Sequence, residues 1–126
     1  MIVLDTDVLI EIVDRDSERG AAAVQKALGA GEPVATTAIN LHELLFGLRK
    51  YGKSLPEVAS LWVLPFGRED ALLSSKIEAD LEETGQPVER ADTIIAAVTI
   101  TNGGALFTYN KSHFERMAKL GLRLFA

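Results

Sequence analysis

Short apolar segments alternate with longer stretches of helical periodicity along the chain, and this alternation constrains the fold more than any other feature. The apolar segments are Ile2–Leu4, Val34–Thr37, Trp62–Leu64, Ala105–Thr108 and Leu122–Phe125. Strands that alternate with helices form βαβ units, whose strands lie parallel in one sheet. The sequence therefore predicts an α/β fold around a mostly parallel sheet of four or five strands.

Apolar residues between these segments recur at helical spacing. Helices are predicted over Val8–Val13, Ser17–Ala30, Ala38–Tyr51, Leu55–Leu61, Arg68–Thr84, Glu89–Thr101 and Ser112–Leu120. The centre of the Glu89–Thr101 helix is apolar on every side, so we expect this helix to be buried.

The chain has 126 residues and no cysteine, which predicts one domain over residues 1–126 and excludes cysteine nucleophiles and thiolate metal sites. The N-terminal segment lacks a basic region and carries Asp5 and Asp7 within its apolar stretch, unlike a signal peptide. No apolar run approaches the roughly 18 residues of a membrane span. We therefore expect a cytoplasmic protein that does not enter membranes.

Thirteen lysines and arginines against eighteen aspartates and glutamates give a net charge of −5. This balance argues against a module held on nucleic acid by bulk charge. If the protein handles RNA or DNA, local cations or a bound metal ion must hold the phosphate.

Three acidic residues and one amide lie at positions that look internal or follow strands. Asp5 follows the first apolar segment, Glu43 lies among leucines, Asp92 lies in the first turn of the most apolar helix, and Asn110 follows the fourth segment. Open α/β sheets bind ligands at the carboxyl ends of their strands. If the three acids converge there, their repulsion requires protons or cations. Mg²⁺ or Mn²⁺ suits carboxylate and amide oxygens and leaves positions open for a phosphate.

Each acidic residue also has a purely structural interpretation. Asp5 and Asp7 suit the N-terminus of the next helix, and Asp7 is the more probable structural acid of the two. Asp92 is placed to interact with a helix dipole, and Glu43 is free to rotate into solvent. Spacing alone does not show that these side chains meet.

Four stretches occur in a specific order: IVLDTDVLI, TTAINLHELLFGL, ERADTIIAA and LFTYNKSHFERMAKLGLRLF. In these stretches the chain resembles PIN-domain ribonucleases, and in particular VapC-type toxins of type II toxin–antitoxin pairs. The resemblance implies a three-layer α/β/α fold and a Mg²⁺- or Mn²⁺-dependent endoribonuclease that cleaves structured RNA such as tRNA or rRNA. It also implies homodimerisation and a VapB-type antitoxin whose amphipathic segment covers the acidic site.

Carried over residue by residue, the resemblance assigns Asp5, Glu43, Asp92 and Asn110 to the catalytic site, with Thr6 and Thr108 at neighbouring hydroxyl positions. Asn110 stands where many family members have aspartate, and an amide brings no charge. We therefore expect one well-held metal ion on Asp5 and Asp92. Glu43 and Asn110 then act largely through water.

The cations expected to offset the net charge against RNA are Arg49, Lys50, Lys53, Arg90 and Lys111. A surface role is the alternative for each. His42 and His113 form no zinc-protease motif and are expected at the surface, His113 with a possible RNA contact.

Two other classes of protein are alternatives for a short α/β chain. A receiver-type signalling domain needs a phosphoacceptor aspartate after a central strand, and no aspartate lies between Asp16 and Asp70. A catalytically weak PIN-like module that only binds a partner is the other alternative. The apolar surplus on the Ala38–Tyr51 helix and after Lys53 suits a dimer seam, an antitoxin groove or a well-covered core.

Overall fold

The computed structural model describes residues 1–14, 16–57 and 60–126, and its centre is a parallel sheet of five strands. The strands are β1 (Ile2–Leu4), β2 (Val34–Thr37), β3 (Val63–Leu64), β4 (Ala105–Phe107) and β5 (Arg123–Leu124). Their order is β3-β2-β1-β4-β5, and every neighbouring pair is parallel. The predicted parallel α/β sheet is confirmed.

Helices cover both faces of this sheet. They are α1 (Thr6–Val13), α2 (Glu18–Gly29), α3 (Ala38–Lys50), α4 (Arg68–Glu83), α5 (Arg90–Thr101) and α6 (Lys111–Phe114). The central strand β1 sends Val3 into a cluster with α4 and α5, and Ile2 and Leu4 into a cluster with α1 and α2. Because successive strand residues point to opposite faces, these two clusters form a three-layer α/β/α fold.

The centre of α5 is buried on every side, as its sequence predicts. Ile95, Ala96, Ala97 and Val98 are each at most 1% exposed. Thr99 is fully buried in the same helix, and its hydroxyl donates to the carbonyl of Ile95 at 2.8 Å. This internal hydrogen bond lets a polar side chain occupy the core without an unpaired donor.

A close contact at Gly20 fixes α2 against α1. A Cβ atom at this position would lie 1.9 Å from the carbonyl oxygen of Glu11. Only glycine allows the two helix backbones to approach this closely.

The structure differs from the sequence prediction after β4. In place of one helix over Ser112–Leu120, α6 ends at Phe114 and a 3₁₀ helix follows over Glu115–Leu120. The apolar residues Phe114, Met117 and Leu120 recur every three residues and pack on the core. A repeat of three matches the 3₁₀ helix, which has three residues per turn, and this explains the change.

The predicted helix over Leu55–Leu61 includes residues 58 and 59, which lie outside the described part of the chain. No helix forms over the described residues 53–57 and 60–61 on either side of them. Across the described ranges, no helix has both the length and the apolarity that a bilayer crossing requires.

Candidate active site

The carboxyl ends of the three central strands bring distant polar residues to one edge of the sheet. Asp5 follows β1, Asn40 lies in the first turn of α3 directly after β2, and Thr108 follows β4. Because β2, β1 and β4 are parallel neighbours, these residues meet at one place. This is the edge at which open α/β sheets bind ligands.

Asp5 is held in one orientation by three neutral groups. Its Oδ1 accepts from the Thr6 amide at 2.8 Å and from Asn40 Nδ2 at 2.9 Å. Its Oδ2 accepts from the Thr108 hydroxyl at 2.7 Å. Asp5 is only 7% exposed, so its carboxylate is oriented and largely buried while its charge meets no cation in these bonds.

Glu43 is tied to Asp5 through shared donors. The Thr6 hydroxyl donates to Glu43 Oε1 at 2.6 Å and accepts from Asn40 Nδ2 at 2.9 Å. Asn40 and Glu43 are three residues apart in α3 and therefore lie on the same face of the helix. The two sequence-predicted hydroxyls, Thr6 and Thr108, both contact the predicted acids.

The charges of Asp5 and Glu43 affect the pKa of Asp92. Burial is the largest cause of a raised pKa at Asp92, and together with repulsion from Asp5, Glu89 and Glu43 it brings this pKa to about 6. His113, whose Nδ1 lies 3.9 Å from Asp92 Oδ2, opposes this rise. The fold therefore brings Asp5, Glu43 and Asp92 within electrostatic range of each other, which their spacing in sequence did not show.

Asn110 contacts both Thr108 and His113. Its amide N–H donates to the Thr108 hydroxyl at 3.0 Å, and its side-chain Nδ2 lies 2.9 Å from His113 Nδ1. In a neutral ring, this Nδ1 is the acceptor of the Asn110 amide. All four predicted site residues thus belong to one connected polar network.

Asp7 is half-buried beside Asp5. Its Oδ2 accepts from the Tyr109 amide at 3.1 Å, which ties α1 to the end of β4 and agrees with the structural role predicted for this residue. Burial raises the pKa of Asp7, and the charge of Asp5 raises it further. Within the described chain, Asp7 Oδ1 is buried and accepts no hydrogen bond.

The residues of this network fit a hard divalent cation. Carboxylates and amide oxygens are the donors that Mg²⁺ and Mn²⁺ prefer, and the repulsion that raises the pKa of Asp92 shows excess negative charge at the site. Among the described residues, no three histidine, aspartate or glutamate side chains lie close enough together to hold an ion. An ion bound here would therefore take at most two of these side chains as ligands, with water in its other positions.

Two residues of the network were not identified as site residues from the sequence. Asn40 is fully buried and bridges Asp5 to Thr6. The sequence did contain an indication of this role, since Asn40 precedes Glu43 by three residues on a predicted helix and therefore lies on the same helix face. His113 was expected at the surface and is exposed, yet its ring lies between Asp92 and Asn110.

Arg90, one of the cations expected to offset the net charge, forms an ion pair within the chain. Its guanidinium makes a two-point ion pair with Glu78, with nitrogen–oxygen distances of 3.0 Å, and this contact lowers the pKa of Glu78. Arg90 is thus engaged by a neighbouring helix. His42 is exposed on α3, as predicted.

Comparisons with known proteins agree with this geometry. The family model "PIN domain" matches residues 2–120. The chain is 31% identical to the VapC ribonuclease Y4jK of Sinorhizobium fredii over 129 residues, which cover 91% of each chain.

Two solved structures share the fold over almost the whole chain. The DNA-bound VapBC structure from Salmonella typhimurium has a TM-score of 0.75 and 27% identity, and covers 98% of this chain and 96% of that chain. The VapBC2 structure from Rickettsia felis, bound to a promoter DNA fragment, has a TM-score of 0.80 and 21% identity, and covers 99% of this chain and 98% of that one. The resemblance found in the sequence is confirmed, and the chain belongs to the PIN-domain family.

Proposed function

We propose that this protein is a metal-dependent endoribonuclease and the toxin of a toxin–antitoxin pair. The observation that carries the proposal is that Asp5, Glu43 and Asp92 lie within electrostatic range of one another, so that repulsion from the other two acids contributes to the raised pKa of Asp92. A fold gains nothing in stability from such repulsion, so a bound cation is the natural reason for it. The similarity to a protein named a VapC ribonuclease supports RNA as the substrate class.

Asp5 and Asp92 are the residues that would hold Mg²⁺ or Mn²⁺. When bound, such an ion activates water and stabilises charge on a phosphate during an in-line displacement. Asn40 and Thr108 orient the carboxylate of Asp5. Thr6 orients Glu43, which together with Asp92 is a candidate acceptor for the proton of the attacking water. Attack by water leaves 5′-phosphate and 3′-hydroxyl ends.

A structured RNA such as tRNA or rRNA is the proposed substrate. Arg49 and Lys50 are exposed in the last turn of α3, and Lys53 and Lys111 are exposed further along the chain. These four cations are available to phosphate, whereas Arg90 is paired with Glu78. Local positive charge of this kind offsets the net charge of −5 against RNA.

A VapB-type antitoxin is the proposed protein partner. A cavity of about 930 Å³ lies between α1 and the C-terminal part of α3, and its walls are mainly apolar. Ile10 and Tyr51 line this cavity and are 51% and 72% exposed. An amphipathic segment of an antitoxin would cover these side chains. We also propose that the protein forms a homodimer in the cytoplasm. Phe46 and Trp62 are exposed apolar residues that a dimer contact would cover.

The test is cleavage of a purified tRNA mixture by the purified chain in Mg²⁺, in Mn²⁺ and in EDTA. We expect cleavage with either metal, none in EDTA, and none by Asp5→Asn or Asp92→Asn, while circular dichroism shows that both variants fold. Equal cleavage in EDTA would contradict the metal site. A folded wild-type chain that cleaves no RNA but copurifies with a small partner would instead support the catalytically weak binding module.

A further inference from the structure

A second cavity, lined by basic and aromatic side chains, lies directly beside the acidic site. It has a volume of about 460 Å³ and lies between α2, the end of β4 and the start of α6. The residues that define this basic cleft are Arg19, Lys26, Lys111, Phe107, Tyr109 and Phe125. No aspartate or glutamate is among the described residues that line it. In a chain with a net charge of −5, this is a local concentration of positive charge.

The three cations of the basic cleft make no ion pair with any aspartate or glutamate in the described ranges. Lys26 donates to the Ala126 carbonyl, and its Nζ lies 5.4 Å from the ring centres of Phe107 and Phe125. By contrast, Lys76 on α4 is paired with Asp80 at 2.9 Å. Arg19 and Lys111 are therefore available to an anionic ligand, and Lys26 keeps two of its three donors for one.

The Arg19 guanidinium lies over the Tyr109 ring in the same cleft. The central carbon of the Arg19 guanidinium lies 3.5 Å from the centre of the Tyr109 ring. The tyrosine hydroxyl also donates to the Arg19 carbonyl at 3.4 Å. Arg19 is exposed, so its planar, charged guanidinium is a group on which an unpaired base can stack.

The basic cleft is joined to the acidic site by two adjacent residues. Thr108 lines the cleft, and its hydroxyl donates to Asp5 at 2.7 Å. The amide of Tyr109 donates to Asp7 at 3.1 Å. The cleft and the acidic site therefore share Thr108 as a common neighbour.

We infer that the basic cleft binds an unpaired nucleotide segment of the RNA next to the cleavage site, with phosphates on Lys26 and Lys111 and a base on Arg19. This inference rests on the proposed ribonuclease function and adds a substrate feature to it. A base in a duplex is already stacked on its neighbours, whereas an unpaired base exposes its face. Cavities of this volume accept a small ligand, and one nucleotide is of that size class.

The test measures binding rather than cleavage. A fluorescein-labelled ten-nucleotide oligouridylate and its duplex with oligoadenylate are titrated with the full chain in EDTA, with fluorescence anisotropy as the readout. The test variant is Lys26→Gln/Lys111→Gln. The control is Lys76→Gln/Lys119→Gln, which has the same net charge but changes two exposed lysines outside the cleft.

We expect the single strand to bind more tightly than the duplex. The cleft variant should raise the Kd for the single strand by about tenfold or more. The slope of log Kd against log salt should fall by roughly 1.4, as expected for two lost contacts to a single strand. The control should change the Kd by less than about threefold. Arg19→Lys keeps the charge but loses the planar face, so it should also weaken binding, with smaller change in the salt slope.

Equal weakening by the cleft and control variants would overturn the inference, because bulk charge would then explain binding. Tighter binding of the duplex would overturn it as well. So would a decaglutamate peptide that displaces the oligouridylate at equal concentration, because the cleft would then recognise acidic protein segments. Cleavage of tRNA is scored separately. If the wild type cleaves tRNA and the cleft variant binds oligouridylate as tightly as the wild type, this inference is rejected and the ribonuclease function stands. If the wild type cleaves no tRNA but binds oligouridylate through the cleft, the ribonuclease function is rejected and this inference stands.

Discussion

Asn40 Nδ2 lies 2.9 Å from Asp5 Oδ1, and the asparagine that donates this hydrogen bond is completely shielded from solvent. The same Nδ2 also donates to the Thr6 hydroxyl, and the Asn40 backbone amide donates to Thr37 at the start of α3. One buried amide thus connects the ends of β1 and β2. The neutrality of this amide matters, because a second charge here would face Asp5 directly.

Asn40→Asp should therefore destabilise the fold although it changes almost no volume. It replaces a donor to Asp5 with a buried carboxylate, and we expect the free energy of unfolding at pH 7 to fall by about 2 kcal/mol or more. The loss should shrink towards pH 4, where protonation of the introduced carboxylate removes the repulsion. Urea denaturation at both pH values measures this. A loss that is the same at pH 4 and pH 7 would show that repulsion is not the cause.

Asp92→Asn should stabilise the protein while it removes activity. Above pH 6, the substitution relieves the repulsion from Asp5 and Glu43, and we expect the free energy of unfolding to rise by about 1–2 kcal/mol after the lost helix-dipole interaction is included. RNA cleavage should fall at least about 100-fold, because the residue is a proposed metal ligand. Thermal unfolding and cleavage are measured on the same preparation. A destabilised variant would contradict the repulsive role of Asp92.

Stability should also depend on the pH through Asp92. Its pKa is raised from 3.8 to about 6 in the folded chain, so between these values the folded state holds more protons than the unfolded state. The contribution of Asp92 to the free energy of unfolding is therefore favourable at low pH and decreases as the pH rises through this window. Subtracting the pH profile of Asp92→Asn from that of the wild type isolates this contribution. A difference that is flat between pH 4 and pH 7 would refute it.

Cleavage should have the opposite pH dependence. Metal binding needs ionised Asp92, so cleavage at a fixed, subsaturating Mg²⁺ concentration should rise with pH around 6. Protons and metal compete for this carboxylate, and more Mg²⁺ should move the midpoint to lower pH. Initial cleavage rates from pH 5 to pH 8 at two Mg²⁺ concentrations measure the shift. A midpoint that does not respond to Mg²⁺ would assign the titration to another group.

Thr6→Val should reduce cleavage without preventing folding. The variant loses the hydroxyl that donates to Glu43 at 2.6 Å and accepts from Asn40. Residues that orient metal-site carboxylates typically change activity by about 10–100-fold, and we expect a loss in this range. Thr6→Ser keeps the hydroxyl and is the matched control. If the serine variant loses as much activity as the valine variant, the hydroxyl is not the group that matters.

Gly20→Ala should disrupt the packing of α2 on α1. The added methyl group would meet a backbone oxygen at 1.9 Å, and we expect a loss of about 3 kcal/mol or more in the free energy of unfolding. Gly29→Ala is the control in the same helix, since a Cβ there has no neighbour within 4 Å. It should be neutral or stabilising by up to about 1 kcal/mol. Chemical denaturation of the two variants shows whether close packing or helix propensity determines the effect of replacing Gly20.

Most of the secondary structure follows from local patterns in the sequence. Ile2–Leu4 was predicted as a strand and α4 and α5 were predicted as helices close to their observed bounds, because strands and helices differ in the spacing of their apolar residues. Over Ser112–Leu120 the sequence predicted one helix, and the structure has a short α-helix followed by a 3₁₀ helix. Short elements of this kind depend on how their side chains meet the core.

The identities of Asp5, Glu43, Asp92 and Asn110 as site candidates came from the sequence, by their positions and by resemblance. Their joint arrangement, the buried bridge through Asn40 and the placement of His113 came only from the folded chain. The basic cleft is the clearest case, because Arg19 and Tyr109 are 90 residues apart in sequence. Apolar periodicity is a local property that a single chain displays directly. Electrostatic and stacking contacts between distant residues exist only after parallel strands have placed their carboxyl ends side by side.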